Sequence, residues 1–263
     1  MDRNNVQDFL KFAKGILPYS YAQHLQDLWA LWETGFKLKK AYYIEFGALN
    51  GKDFSNSYVM EKLGWDGVVA EPHPSYVDRV KQNRKCYFST KCVFDKTGET
   101  VTFHMVRGRP AMSSIGTHMT QDDKIHLREN YVEHDVETIT LVDLLKEASA
   151  PKDIDFLSID TEGSELAILK AFDFDLYNIR LICVEHNDVM REDLYNLLTS
   201  KGYIRKFTEI SGHDDYYVRE GAYPDWSNKT QEKMEKKLSK IPVFENQLDK
   251  RVVLLDSLIA KTS

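Results

Sequence analysis

Hydrophobic positions along the chain follow two periods in turn. Phe9, Phe12, Ala13 and Ile16 recur at helical spacing, and after Pro18 so do Leu25, Leu28, Trp29 and Trp32. Residues 5–40 are therefore predicted to form helices that each bury one face. From Ala41 the pattern changes to short continuous apolar runs at 42–46, 67–70, 86–90, 155–159 and 181–184. Runs with no polar face predict strands covered on both sides, the condition of a parallel sheet with crossover helices. Segments 203–208 and 215–219 alternate instead, which predicts an antiparallel edge pair. The expected fold is α/β: a Rossmann-like sheet, mostly parallel with an antiparallel edge pair, and helices on both faces.

Between the third and fourth runs this order is interrupted. Residues 99–106 alternate like one further strand, 107–116 (RGRPAMSSIG) are turn formers and 122–130 are strongly polar. Such an insertion reads equally as a wall of a substrate site and as a surface loop. From Asn228 onward the chain is rich in Lys and Glu, yet Met234, Leu238, Ile241, Leu248, Val252, Leu255 and Ile259 recur at helical spacing, broken at Pro242 and Glu245. An appended helical segment is predicted, its stripe buried within the chain or, by self-association or a partner, between chains. The expected division is a helical cap at 1–40, a main domain at 41–225 and the appended segment at 226–263.

Composition narrows the partners. With 42% hydrophobic, 12% aromatic and 29% charged residues the chain has the profile of a folded domain. Its net charge of −6, from 35 basic against 41 acidic residues, attracts neither phosphate backbones nor anionic lipid, so nucleic acid is not an expected partner. Apolar runs are too short for a membrane span, and MDRNNVQDF has no basic stretch followed by an apolar run. Cys86, Cys92 and Cys183 lie among β-formers without a close pair, as packed, reduced thiols do. A cytoplasmic protein is expected, in which the sequon at Asn228 has no role.

The chemistry begins at YIEFGALNG, residues 43–51. Glycines where a strand turns toward a helix let the backbone approach a ligand, or serve tight packing alone. An apolar strand then ends in Glu71-Pro72, twenty residues beyond Gly51; an acid at that tip can accept hydrogen bonds from both ribose hydroxyls of a nucleoside. NAD requires a Gly-x-Gly-x-x-Gly turn against its pyrophosphate, whereas here the spacing is Gly47-x-x-x-Gly51 behind Glu45. An acid there repels pyrophosphate and suits the cationic sulfonium and amino group of S-adenosylmethionine.

The ordered elements Gln23-His24-Leu25-Gln26-Asp27, Ile44-Glu45-Phe46-Gly47-Ala48, Ser55-Asn56, Gly64-Trp65-Asp66-Gly67, Glu71-Pro72, Ser113-Ser114, Asp160-Thr161-Glu162-Gly163-Ser164-Glu165 and Val184-Glu185-His186 resemble the FkbM family of methyltransferases. The resemblance covers about residues 20–220. It implies a class I methyltransferase sheet and methyl transfer from S-adenosylmethionine, commonly to a hydroxyl of a sugar, polysaccharide or polyketide-like acceptor. The cofactor candidates are Glu45, Gly47, Ala48, Asn50 and Gly51 in the first loop, Ser55 and Asn56 after it, Glu71 and Pro72, Thr90 beside the adenine, Ser114 in the insertion, and Asp160.

Asp160 ends the buried run DFLSID and so stands at the carboxyl edge of the sheet, where open α/β folds hold ligands. Glu162 is the next candidate, whereas Glu165 suits the first turn of a helix. His186, emerging near the same edge, is the preferred base for a substrate hydroxyl; a histidine that only shapes the pocket, and His73, compete with it. Asp160 with Glu185, His186 or Asn187 could also ligate magnesium. Two other classes remain: an NAD-dependent oxidoreductase, which the first loop fits poorly, and a catalytically inactive methyltransferase-like binding module, against which the retained Glu45, Gly47, Glu71 and Asp160 argue.

Overall fold

The computed structural model describes residues 2–35, 40–118, 125–187, 189–223, 236–245 and 248–262. Strands β1 (Tyr42–Phe46), β2 (Asp66–Ala70) and β3 (Tyr87–Ser89) come first. An insertion follows with β4 (Cys92–Phe94), β5 (Thr100–Val106), β6 (Ser114–Ile115) and β7 (Tyr131–Thr140). The chain then resumes with β8 (Asp153–Ile159), β9 (Asn178–Glu185), β10 (Tyr203–Lys206) and β11 (Asp214–Arg219). The main sheet has the order β10-β11-β9-β8-β1-β2-β3. It is parallel from β3 to β9, and β11 runs antiparallel to both β9 and β10.

Successive strand residues point to opposite faces, so each central strand feeds two cores. Tyr43, Val69, Phe156 and Leu181 pack on one face with α1 (Val6–Ile16), α2 (Gln26–Glu33), α3 (Tyr58–Leu63) and α4 (Val77–Asn83). Ile44, Val68, Leu157 and Ile182 pack on the other with α5 (Leu141–Glu147), α6 (Glu165–Ala171) and α7 (Arg191–Ser200). Burial on both faces is the reason these strands read as unbroken apolar runs. No helix among the described residues is long and apolar enough to cross a membrane.

The insertion is more ordered than its sequence foretold. Its strands form a second sheet in the order β4-β7-β5-β6, with β5 and β7 paired antiparallel from Thr100–Glu137 to Val106–Tyr131. The reading of 99–106 anticipated β5, but β7 was not anticipated. Its first half is exposed and only Val136, Thr138 and Ile139 are buried, so it carries too few apolar positions to announce itself.

Helix α8 (Leu248–Thr262) lies against α1 of its own chain. Gln7 donates to the Thr262 hydroxyl at 2.7 Å and Lys14 pairs with Asp256 at 2.9 Å. Of the expected stripe, Leu238, Ile241 and Leu255 are buried, Leu248 and Ile259 are half-buried, and Met234 lies outside the described residues. Val252 is exposed instead of buried: the inward face turns through Arg251, whose guanidinium donates to the carbonyls of Ser20 and Phe244. Leu255→Ala should lower stability by about 2–5 kcal/mol in urea denaturation, while Val253→Ala on the exposed side should stay within about 0.5 kcal/mol of wild type.

Candidate functional site: a cleft at the switch point of the sheet

From β1 the chain winds outward to β3 and returns on the other side of β1 to β8. Loops leaving β1 and β8 diverge at that point, and a cleft of about 770 Å³ opens over the carboxyl ends of the strands. Gly47 and Leu49 follow β1 into it, Glu71 and Pro72 follow β2, Asp160 and Glu162 follow β8, and Glu185, His186 and Asn187 follow β9. Cys92, Phe103, Met112 and Arg128 wall it from the insertion side, and Gln23, His24 and Asp214 contribute from elsewhere in the fold.

Glu45 is not part of the lining. Its carboxylate is buried below the first loop, where it accepts from the Ser55 hydroxyl, the Asn56 N–H and the Ser57 hydroxyl at 2.8, 2.6 and 2.6 Å. Arg84, also buried, donates to Glu45 at 3.4 Å, to Glu61 at 3.0 Å, to the Gly51 carbonyl at 3.0 Å and to Ser55 and Ser57. The negative charge expected to face the ligand is therefore neutralised within the scaffold. The glycines have packing reasons as well. Gly47, at φ +71°, is where a Cβ would fall 1.9 Å from the Asp160 carbonyl oxygen, and at Gly51, at φ +76°, one would meet the Arg84 side chain at 2.9 Å.

Glu71 does line the cleft. Leu49 N–H and His73 N–H each donate to one of its oxygens at 2.8 Å, leaving the remaining lone pairs for a ligand. Burial pushes its pKa up to about 7, against the lowering effect of those two bonds. Asn56 donates through Nδ2 to Ser158 at 2.9 Å, while its buried Oδ1 accepts no hydrogen bond among the described residues. An orphaned acceptor in the lining marks a place for a ligand donor. His73 is engaged in its own turn, with Nδ1 against Ser75.

Opposite lies a crowd of acids. Asp160, Glu162 and Glu185 each offer an oxygen within 4.8 Å of the others. Burial first, then repulsion from neighbouring carboxylates, holds Asp160 and Glu185 well above the ordinary carboxylate range. Glu162, at φ +58°, is paired with Arg128 at 2.7 Å, which ties the insertion to the tip of β8. Glu165 accepts from Thr161 and Gly163 and so closes its own helix start. His186 reaches the cleft, but its imidazole is only 5% exposed and Nε2 stands 3.7 Å from Asp215. Burial would raise Asp215; bonds from Arg191 and Ser211 outweigh it and keep its pKa below the usual value.

The sequence profile of the Methyltransferase FkbM domain matches residues 45–205, more than half of the chain. The chain belongs to the FkbM methyltransferase family. S-adenosylmethionine is the methyl donor this implies, and the dehydrogenase alternative is set aside. Among solved structures, a precorrin-6y C5,15-methyltransferase from Geobacter metallireducens GS-15 is similar at 14% identity and a TM-score of 0.34, over 71% of this chain and 84% of that one. No curated protein matches the chain.

Of the residues expected to hold the cofactor of this FkbM methyltransferase, Gly47, Asn56, Glu71, Pro72 and Asp160 line the cleft, as do Glu162 and His186 among the expected catalytic ones. Glu45, Ala48, Asn50, Gly51, Ser55, Thr90 and Ser114 do not. Ala48 and Ser55 are buried beneath the loop, Asn50 accepts from Lys52 and Asp53 N–H within its own turn, and Ser114 is buried behind the lining. Thr90 is exposed, and Cys92 and Val93 line the cleft in its place. Arg84 was missed altogether: its only trace in sequence is that an acid on an apolar strand, Glu45, needs a buried counter-charge, and the helix acid Glu61 shares it. Arg84→Met should cost about 3–5 kcal/mol in urea denaturation by stranding both carboxylates, and Arg84→Lys should recover only part of it.

Proposed function

We propose that the protein methylates a hydroxyl oxygen of a small-molecule or carbohydrate acceptor, held in the cleft beside the acids at the ends of β8 and β9. One observation carries this reading: Asp160, Glu162 and Glu185 converge on the cleft floor with raised proton affinity in two of them. A hydroxyl must lose its proton as it is methylated, and a carboxylate with elevated pKa is a suitable acceptor at neutral pH. Asp160 and Glu185 take that role in preference to His186, whose imidazole is turned to Asp215. When bound, S-adenosylmethionine supplies an electrophilic methyl group. Glu71 holds its ribose, the orphaned Asn56 Oδ1 accepts from its amino end, and Cys92 and Val93 flank the adenine.

The three carboxylates are also an oxygen donor set of the kind magnesium takes, which makes metal assistance the second reading. Acceptors would be found by screening sugars and polyketide-like alcohols for cofactor-dependent mass gain. Tight adenosylhomocysteine binding without turnover on any of them would favour an inactive binding module.

Adenosylhomocysteine should bind more tightly as pH rises from 6 to 8, because ribose hydroxyls donate to ionised Glu71, whose pKa burial pushes up to about 7. Calorimetry should show affinity levelling off above that pH, and Glu71→Ala should weaken binding by roughly ten- to a hundredfold and abolish the pH dependence. With an acceptor in hand, Asp160→Asn should lower turnover by about 10²- to 10⁴-fold, and His186→Ala by far less. Turnover should survive EDTA; loss on chelation with recovery in magnesium would replace the carboxylate base by a metal.

A further inference from the structure

Beside the cleft lies a second cavity of about 220 Å³. Ala22, Phe54, Phe244 and Leu254 give it an apolar lining, with exposed Lys250 at the rim. Gln23, His24 and Phe54 line this cavity and the main cleft alike, so the two spaces adjoin at these side chains. Its outer wall comes from the C-terminal segment and is firmly held. Phe244 stacks on Tyr21 with ring centroids 4.5 Å apart, and buried Arg251 donates to the carbonyls of Ser20 and Phe244. Where the two spaces meet, Phe54 sits at φ +64°, a backbone region bulky residues rarely adopt, and its backbone bridges to Ala22.

A small apolar cavity offers water few partners and gains by accepting an apolar group. We propose that this annex is a subsite of the acceptor pocket, occupied by an alkyl or aromatic arm of the molecule whose hydroxyl is methylated. The proposal rests on the main cleft being the transfer site, and adds that the acceptor is amphipathic: a hydroxylated head beside the acids, an apolar arm beyond Phe54. Adjacency to the cleft along the shared residues Gln23, His24 and Phe54 is what selects this occupant over an unrelated ligand.

The test uses the full chain and a series of n-alkan-1-ols from butanol to decanol, with dissociation constants measured by calorimetry, with and without adenosylhomocysteine. Affinity should rise roughly fourfold for each added methylene until the annex is filled, then level off. Leu254→Trp should bring the plateau to shorter chains and Leu254→Ala should extend it to longer ones, opposite shifts that misfolding cannot produce together. Both variants should keep the wild-type affinity for adenosylhomocysteine. Parallel series in all three proteins, or no dependence on chain length, would overturn the subsite. Plateau shifts in a protein that fails to bind adenosylhomocysteine would instead leave the annex standing and remove the transfer reading.

Discussion

Glu45 and Glu61 are both withdrawn from water beneath the first loop of the sheet, and a single guanidinium, Arg84, answers them. Burying charges is costly unless each is paired and its remaining hydrogen-bonding capacity is met. Here the surplus capacity of Arg84 goes to Gly51, Ser55 and Ser57, and that of Glu45 to residues 55–57. Charge compensation under the loop and the shape of the loop above it are therefore one requirement. That shape in turn presents Leu49 N–H to Glu71 and aims Asn56 into the lining. The cleft inherits its geometry from a network that takes no part in its surface.

Across the cleft the constraint has the opposite sign. Asp160, Glu162 and Glu185 meet with Asp214 and Glu165 close by. Arg128 answers Glu162 by a short ion pair, and Gln26 supports Asp214, whose pKa burial pushes up to about 6. Burial and mutual repulsion raise the proton affinity of Asp160 and Glu185, and an ionised carboxylate of raised proton affinity is the better acceptor for a hydroxyl proton. Arg128 belongs to the insertion, so the same ion pair that tempers the acids also fastens the second sheet over them.

Sequence patterns revealed what burial on both faces makes conspicuous. Strands β1, β2, β8 and β9 were legible because their central residues avoid water on both faces, and the edge pair was legible from its alternation. Strand β7 was not, since its exposed half reads as polar loop. Glu71 and Asp160 could be found because a strand end places its acid by topology alone. Glu45 misled, because spacing locates a carboxylate along the chain but says nothing about which side of the loop it faces; the charge argument against pyrophosphate was sound only for an acid in the open. The step from Thr90 to Cys92 and Val93, and from Val252 to Arg251, shows the same limit. Registers one or two residues apart are decided by tertiary partners, and those partners lie hundreds of residues away for Arg251 and Ser20.

The wall formed by Phe244, Arg251 and Leu254 is encoded after every strand of both sheets. Phe244, Arg251 and Leu254 belong to no strand, to no loop of the switch point and to no bond of the Arg84 network. In such an arrangement the part of the fold that handles the common reactant and the part that borders the annex are free to diverge at different rates. Related chains with near-identical sheets and unlike C-terminal segments would then be the ordinary outcome of descent, with the tail recording a history that the sheet does not.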